Sequence, residues 1–341
     1  MMRSKSRNMK GFASCGLWSL ILCLLLLPAC QGPPSSASSP AEVIRVAYPE
    51  PPLSALFDIA MEKGYFLEEG LAVTPQSFAG GKLALQAVLD GKADLAISAD
   101  TPVMVAISGG QPISIVAQVA TAGNNWTIMA RRDRGITEPA DLAGKTIGTP
   151  FGTAGEFFLD SFLSLNGIAR TQVTRKNLSP GEMSAALVAG TVDAVSIRYP
   201  YILPLQQELG DRGIVFAEDA ISSTLACLSS LQSYATDHLR AIANFLKGLI
   251  RAETFVKQDS AESQRLVADF NQIAPEQVAD TWASLDLRVS LEQALLVSLE
   301  DQTRWAQANQ LVGGTTVPNY LNFIYFAGLD AVRPESITIV R

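Results

Sequence analysis

The stretch GTPFGTAGEFF, Gly148 to Phe158, sets a Gly- and Thr-rich turn directly before an apolar run. A helix that opens there leaves its first N–H groups free, and those groups, with the macrodipole, attract an anion. Thr153, Ala154, Gly155 and Glu156 are therefore candidate ligand contacts. Glu156 already brings negative charge to the helix end, so a neutral or amine-bearing ligand on Thr153 and Glu156 is a second reading. The T-x-x-E spacing is also that of a capping box, in which Glu156 reaches back to the cap residue. No Lys-Ser/Thr pair follows the turn, which sets aside a nucleotide loop.

Other residues offer binding chemistry rather than catalysis. In RYPY, Arg198 can clamp a carboxylate or sulfonate through two parallel bonds, pair with Asp100 or Glu156 across a cleft, or stay solvated. Tyr48 and Tyr199 present flat rings that can cover a planar ligand or simply pack. Gly80 and Gly81 bring backbone N–H groups to another helix start. Asp100 and Thr101 either meet the ligand or cap the helix VMVAIS, with Pro102 at its first position. Ser98 fits both roles, and Trp126 reads as core packing. Catalytic sets are missing: the chain has one His, His238, and no HExxH, CxxC or metal-spaced carboxylate run. The expectation is a protein that is not an enzyme and needs no cofactor or metal.

These residues need elements to hold them. VIRVAY, a helix over about 53–63, a strand after Glu69-Gly70, the helix KLALQAVLD and the strand DLAIS follow a strand–helix rhythm, which predicts an α/β sheet. About a hundred residues later the rhythm returns in KTIGTP, the quoted stretch, TRKNL, a helix from Ser179 and DAVSI. AVLDGKADLAI (Ala87 to Ile97) and ALVAGTVDAVS (Ala186 to Ser196) share Ala, Gly and Asp at the same offsets. Each Gly sits where a helix closes in a left-handed turn, and each Asp precedes a buried strand. Two lobes of one architecture are expected. Residues 43–125 begin the first lobe, 126–222 make the second, and 223–341 return to the first. WTIMARRD (Trp126 to Asp133) and STLACLSSL (Ser223 to Leu231) cross as strands. Helical patterns follow over 236–257, 261–270, 275–285 and 291–310.

The N-terminus has the parts of an export signal. A basic start precedes GLWSLILCLLLL, an apolar run too short to span a bilayer comfortably. LPAC, Leu27 to Cys30, then predicts cleavage after residue 29 and a lipid on Cys30; an ordinary signal cut nearby is the alternative. QGPPSSASSP reads as a flexible tether over 30–42. Losing Arg3, Lys5, Arg7 and Lys10 takes the formal charge from −7 to −11. That acidity, with no basic stripe, argues against nucleic acid. One cysteine, Cys227, remains in the mature body, so no disulfide is expected and Cys227 reads as a core residue.

The chain resembles the solute-binding proteins of ABC importers for sulfonates, taurine, nitrate and thiamine precursors. EKGYFLEEGLAV (Glu62 to Val73), FAGGK, LDGKADLAIS with its following TP, DLAGKTIG and LVAGTVDAV with RYPY carry the resemblance, in order, over residues 43 to about 204. It implies a two-lobed type II periplasmic-binding fold, each lobe a mostly parallel sheet flanked by helices. It also implies a two-strand hinge and a helical C-terminal tail. By the same resemblance, the protein closes on a small molecule and delivers it to a membrane permease; taken with LPAC, the expectation is a lipid-anchored, extracytoplasmic monomer. Where the family more often has an aromatic residue followed by an acid and Pro, this chain has Arg198-Tyr199-Pro200. A tethered sensor for a membrane receptor would use the same closure. A pyrimidine synthase on this fold would need a histidine, a reactive lysine and a cysteine-rich motif. The ligand is expected beyond the carboxyl ends of the strands, at Tyr48-Pro49, Ser98 to Thr101, Thr149 to Gly155 and Arg198-Tyr199.

Overall fold

The computed structural model describes residues 41–123, 126–218, 221 and 223–341. The expected signal peptide, most of the expected tether and Cys30 lie outside them. The chain runs β1 (Glu42–Pro49), α1 (Ala55–Glu62), α2 (Tyr65–Glu68), β2 (Leu71–Phe78), α3 (Gly81–Leu89), β3 (Leu95–Ala99), α4 (Asp100–Ser108) and β4 (Ile113–Ala122). It then passes through β5 (Trp126–Arg131), β6 (Thr146–Thr149), α5 (Ala154–Leu165), β7 (Thr174–Asn177), α6 (Pro180–Val188), β8 (Ala194–Arg198), α7 (Ile202–Leu209) and β9 (Gly213–Phe216). It returns through β10 (Thr224–Leu231), α8 (Gln232–Asp237), α9 (Leu239–Gln258), α10 (Ser260–Asn271), α11 (Pro275–Trp282), β11 (Leu285–Asp286), α12 (Gln293–Ala308) and α13 (Phe326–Asp330).

Two sheets result, ordered β11-β4-β10-β3-β1-β2 and β7-β6-β8-β5-β9. Each has a parallel part, β3-β1-β2 in one and β8-β6-β7 in the other. The crossing strands β5 and β10 pair antiparallel with their neighbours, because a chain that leaves a lobe must come back the other way. Pro75 sits in β2, where the missing N–H costs nothing because β2 is an edge strand. β3 is buried along its whole length, as a central strand covered on both faces must be.

The internal repeat has a common physical task. Asp94 accepts the Arg45 N–H at 2.8 Å, and Asp193 accepts the Thr146 N–H at 2.9 Å. In return the Asp94 and Asp193 N–H groups donate to the Arg45 and Thr146 carbonyls. Each Asp thus fastens the start of one parallel strand to the next. The Gly three residues upstream holds φ +70° at Gly91 and +72° at Gly190, a left-handed turn that other residues resist.

The helical tail departs from the sequence pattern in two places. The first tail helix is broken at His238, which leaves helical geometry between α8 and α9. The pattern over 275–285 ends at Trp282, and Leu285–Asp286 pair instead with the end of β4, beside the first crossing. Cys227 is fully buried on β10.

Candidate functional site

A cavity of about 350 Å³ opens between the two lobes. Pro49, Ala99, Pro150 and Arg198 line it, so the carboxyl ends of β1, β3, β6 and β8 all reach its wall. Leu53, Leu83, Pro102, Phe151, Leu178 and Trp126 make most of that wall apolar.

Arg198 is the most unusual group in it. The side chain is 8% exposed, and its Nη1 donates to the Tyr199 carbonyl at 2.6 Å and to the Pro51 carbonyl at 3.4 Å. No carboxylate forms an ion pair with it, and its Nε and Nη2 find no partner among the described residues. Burial pushes its pKa down, with Tyr201 and Glu50 opposing from farther off. Arg131, equally buried, shows what a structural arginine does: it pairs with Asp133 at 2.6 Å and donates to the Leu187 and Val188 carbonyls. A buried guanidinium without an anion is costly.

Two helix starts face this space differently. At α5, Thr153 caps the helix by accepting from Gly155 N–H at 3.2 Å while donating to the Pro150 carbonyl at 2.6 Å. The capping-box expectation needs correction. Glu156 passes over Thr153 and accepts from Gly152 N–H at 2.8 Å, because its carboxylate is drawn inward by Arg170 at 2.8 Å and Arg175 at 2.9 Å. At α3, Gly80 offers no side-chain cap, and Gly80, Gly81 and Lys82 line the cavity. A Cβ on Gly81 would lie 2.8 Å from the Ser98 Cα, so only Gly lets α3 start this close to β3.

The structure brings Gly80, Gly81, Thr153, Ala154 and Arg198 to the cavity wall. Other candidates sit elsewhere. Tyr48 turns inward against Phe57, with ring centroids 4.9 Å apart, and against Phe270. Tyr199 packs against the second-lobe core and lines a separate small crevice with Pro51, Pro52 and α11. Ser98 is fully buried beneath Gly81. Asp100 lies inside α4 rather than capping it, and its carboxylate accepts from Ser298 at 2.7 Å and Gln302 at 2.6 Å on α12. Burial raises its pKa to about 6 against these hydrogen bonds. Thr101 is buried beside it, and Gly155 lies under the Trp126 ring, where a Cβ would come within 2.5 Å.

Sequence reasoning passed over Lys82 at the cavity wall and Tyr201, which bonds the wall residue Glu50, and assigned Trp126 to core packing. Lys82 Nζ donates across the cleft to the Phe151 carbonyl at 2.7 Å. Tyr201 donates to Glu50 at 2.5 Å, also across the cleft, and its pKa is pushed up to about 12 by burial and by Glu50. Trp126 borders the cavity with its Nε1–H unpartnered. Lys82 directly follows the Gly pair and Tyr201 ends RYPY, so both stood within motifs already singled out.

The profile of the NMT1/THI5-like family matches residues 53–262. A formylaminopyrimidine-binding protein of Halalkalibacterium halodurans is 32% identical over 180 residues, 52% of this chain and 54% of that protein. A taurine-binding periplasmic protein of Escherichia coli is 26% identical over 54% of this chain and 58% of its own length. The chain thus spans little more than half the length of these two relatives. The alkanesulfonate-binding protein SsuA from Xanthomonas axonopodis pv. citri, solved bound to MOPS, superposes with TM-score 0.72 over 85% of this chain and 99% of that one. At 22% identity that likeness is one of fold, and the fold is the two-lobed type II periplasmic-binding fold.

Proposed function

We propose, from the premise that this chain belongs to the NMT1/THI5-like family, that it is an extracytoplasmic solute-binding protein of an ABC importer. It captures a small anionic organic molecule between its lobes. The single observation that carries the anion is Arg198, buried at the cavity wall with no carboxylate partner. The apolar wall suits an organic body on that anion. The names of the relatives, which bind formylaminopyrimidine and taurine, support small-molecule capture.

In this reading the chain is cut after residue 29, lipidated at Cys30 and tethered through residues 30–42 to a membrane. It works as a monomer whose lobes are 43–125 with 223–341, and 126–222. Gly80, Gly81, Thr153, Ala154 and Arg198 contact the ligand. A ligand that touches both lobes binds the bridged state better and shifts the population toward it. A permease then recognises that state. The work is conformational, and no bond is made or broken.

Thermal shift and calorimetry with a panel of sulfonates, carboxylates, nitrate and pyrimidines test this. At least one anion is expected to bind, and Arg198→Gln is expected to weaken it by about ten- to a hundredfold, the cost of a charge-assisted hydrogen-bond pair. Binding of uncharged or cationic members alone, unaffected by Arg198→Gln, would overturn the anionic reading. Chemical turnover of any member would overturn the binding-protein reading.

A further inference from the structure

Helix α12 and its C-cap carry a polar stripe at helical spacing: Ser298, Gln302 and Trp305 on the helix, Asn309 at the cap. Its first half is fastened to the first lobe, where Ser298 and Gln302 donate to Asp100 at 2.7 and 2.6 Å. Its second half is fastened to the second lobe. Trp305 Nε1 donates to Asp160 on α5 at 3.1 Å, and the Trp305 ring meets Phe157 edge-on with centroids 5.1 Å apart. The Asn309 carbonyl, just past the helix end, accepts from Arg170 at 3.4 Å.

Arg170 joins this contact to the cavity. It pairs with Asp160 and with Glu156, each at 2.8 Å, and Glu156 holds the Gly152 N–H of the turn that lines the cleft. Asp160 is 7% exposed, and its Oδ1 has no partner among the described residues. Its burial raises its pKa against the pull of Arg170. Little water reaches Asp160, so the Trp305 N–H adds to Arg170 in stabilising its charge.

We infer that Trp305 is a positioning residue for capture. It touches no part of the cavity, yet it fastens α5 and the ligand-facing turn to a helix anchored on the other lobe. The fastening coexists with the cleft-spanning bonds of Lys82 and Tyr201, so it favours the bridged arrangement before any ligand arrives. The inference rests on the capture reading for its purpose, but its geometry can be tested without a ligand.

The test uses the full chain and two variants. Trp305→Phe keeps a ring and removes the N–H; Phe157→Ala removes the facing ring from a half-buried site. Small-angle scattering of the ligand-free protein is expected to show a larger radius of gyration in both variants than in the parent. Far-UV circular dichroism should stay unchanged. The tightest-binding member of the panel should bind about fivefold more weakly to each variant, through faster dissociation. An unchanged radius overturns the inference whatever the panel shows. An enlarged radius in a protein that binds no anion sustains the strap and sinks the anionic reading instead.

Discussion

Asp58 shows how much a single buried group can impose. It is fully buried on α1, accepts from Ser54 at 3.0 Å and from Asn271 at 2.8 Å, and leaves Oδ1 unpartnered. Burial raises its pKa from 3.8 to about 8. Below the lower value both the folded and unfolded chains hold the proton. Between the two values the unfolded chain releases it and the folded chain keeps it, so stability falls as pH rises through this window, by up to about 1.4 kcal/mol per pH unit. Above the folded value both are charged and the loss is complete. Asp58→Asn keeps an acceptor for both donors and cannot ionise. Its stability relative to the parent should therefore rise steadily from pH 5 to pH 8 in denaturant titrations; a constant difference would show that Asp58 stays charged in the fold.

At the same scale, the sequence made the site only half legible. Thr153 and Gly80-Gly81 were readable because turn chemistry is local: the residue type carries the geometry. Tyr48, Asp100 and Glu156 were not, because direction decides their role. Tyr48 stands one position before Pro49 at the end of β1, and alternation turns its ring inward toward Phe57 and Phe270 while Pro49 meets the cavity. The partners of Glu156 are Arg170 and Arg175, and no spacing rule announces them.

Among the elements, α5 is held from three sides. Its cap is Thr153, its first turn is held by Glu156, and its backbone at Gly155 lies against Trp126. Gly155→Ala would force Trp126 or α5 to move. It should destabilise the fold by about 1–3 kcal/mol, the usual cost of overpacking, and weaken ligand binding at the same time. A variant that melts like the parent would mean that the ring gives way freely. The two strand-fastening aspartates make a second case. Asp94→Ala and Asp193→Ala each leave a β-strand N–H, that of Arg45 or Thr146, without its acceptor, and each should cost about 1–3 kcal/mol. Since they serve different sheets, the double variant should lose the sum; a clearly smaller loss would reveal that the lobes communicate through these strand starts. The strands were legible because both copies of the repeat carry the same Gly and Asp signals. The broken helix at His238 was not, because its apolar pattern continues unbroken through the bend.

For the whole molecule, the quantity that the proposed capture turns on is the balance between bridged and separated lobes. Bonds on both flanks of the cavity hold the bridged form: Lys82 with Phe151, Tyr201 with Glu50, and Trp305 with Asp160. Tyr201→Phe removes one of them and leaves the ring in place. It should lower the apparent affinity by a factor of about 3–10 without changing which ligands bind, because it acts on the population and not on the pocket. A change in ligand preference would place Tyr201 in the recognition surface instead. The two-lobed plan itself was legible from the repeated rhythm. The mixed sense of the sheets followed from the two crossings and required the three-dimensional pairing to see.

The position of β10 has a consequence for how the molecule is born. It lies between β3 and β4, in the middle of the first sheet, yet it is made only after the whole second lobe has been synthesised. Until Thr224–Leu231 leaves the ribosome, β4 has no neighbour on that side and β3 lacks one of its two. The second lobe, a continuous run of chain, can mature early. The first must stay ajar until the strand that completes it arrives, which keeps its early segments loose for longest.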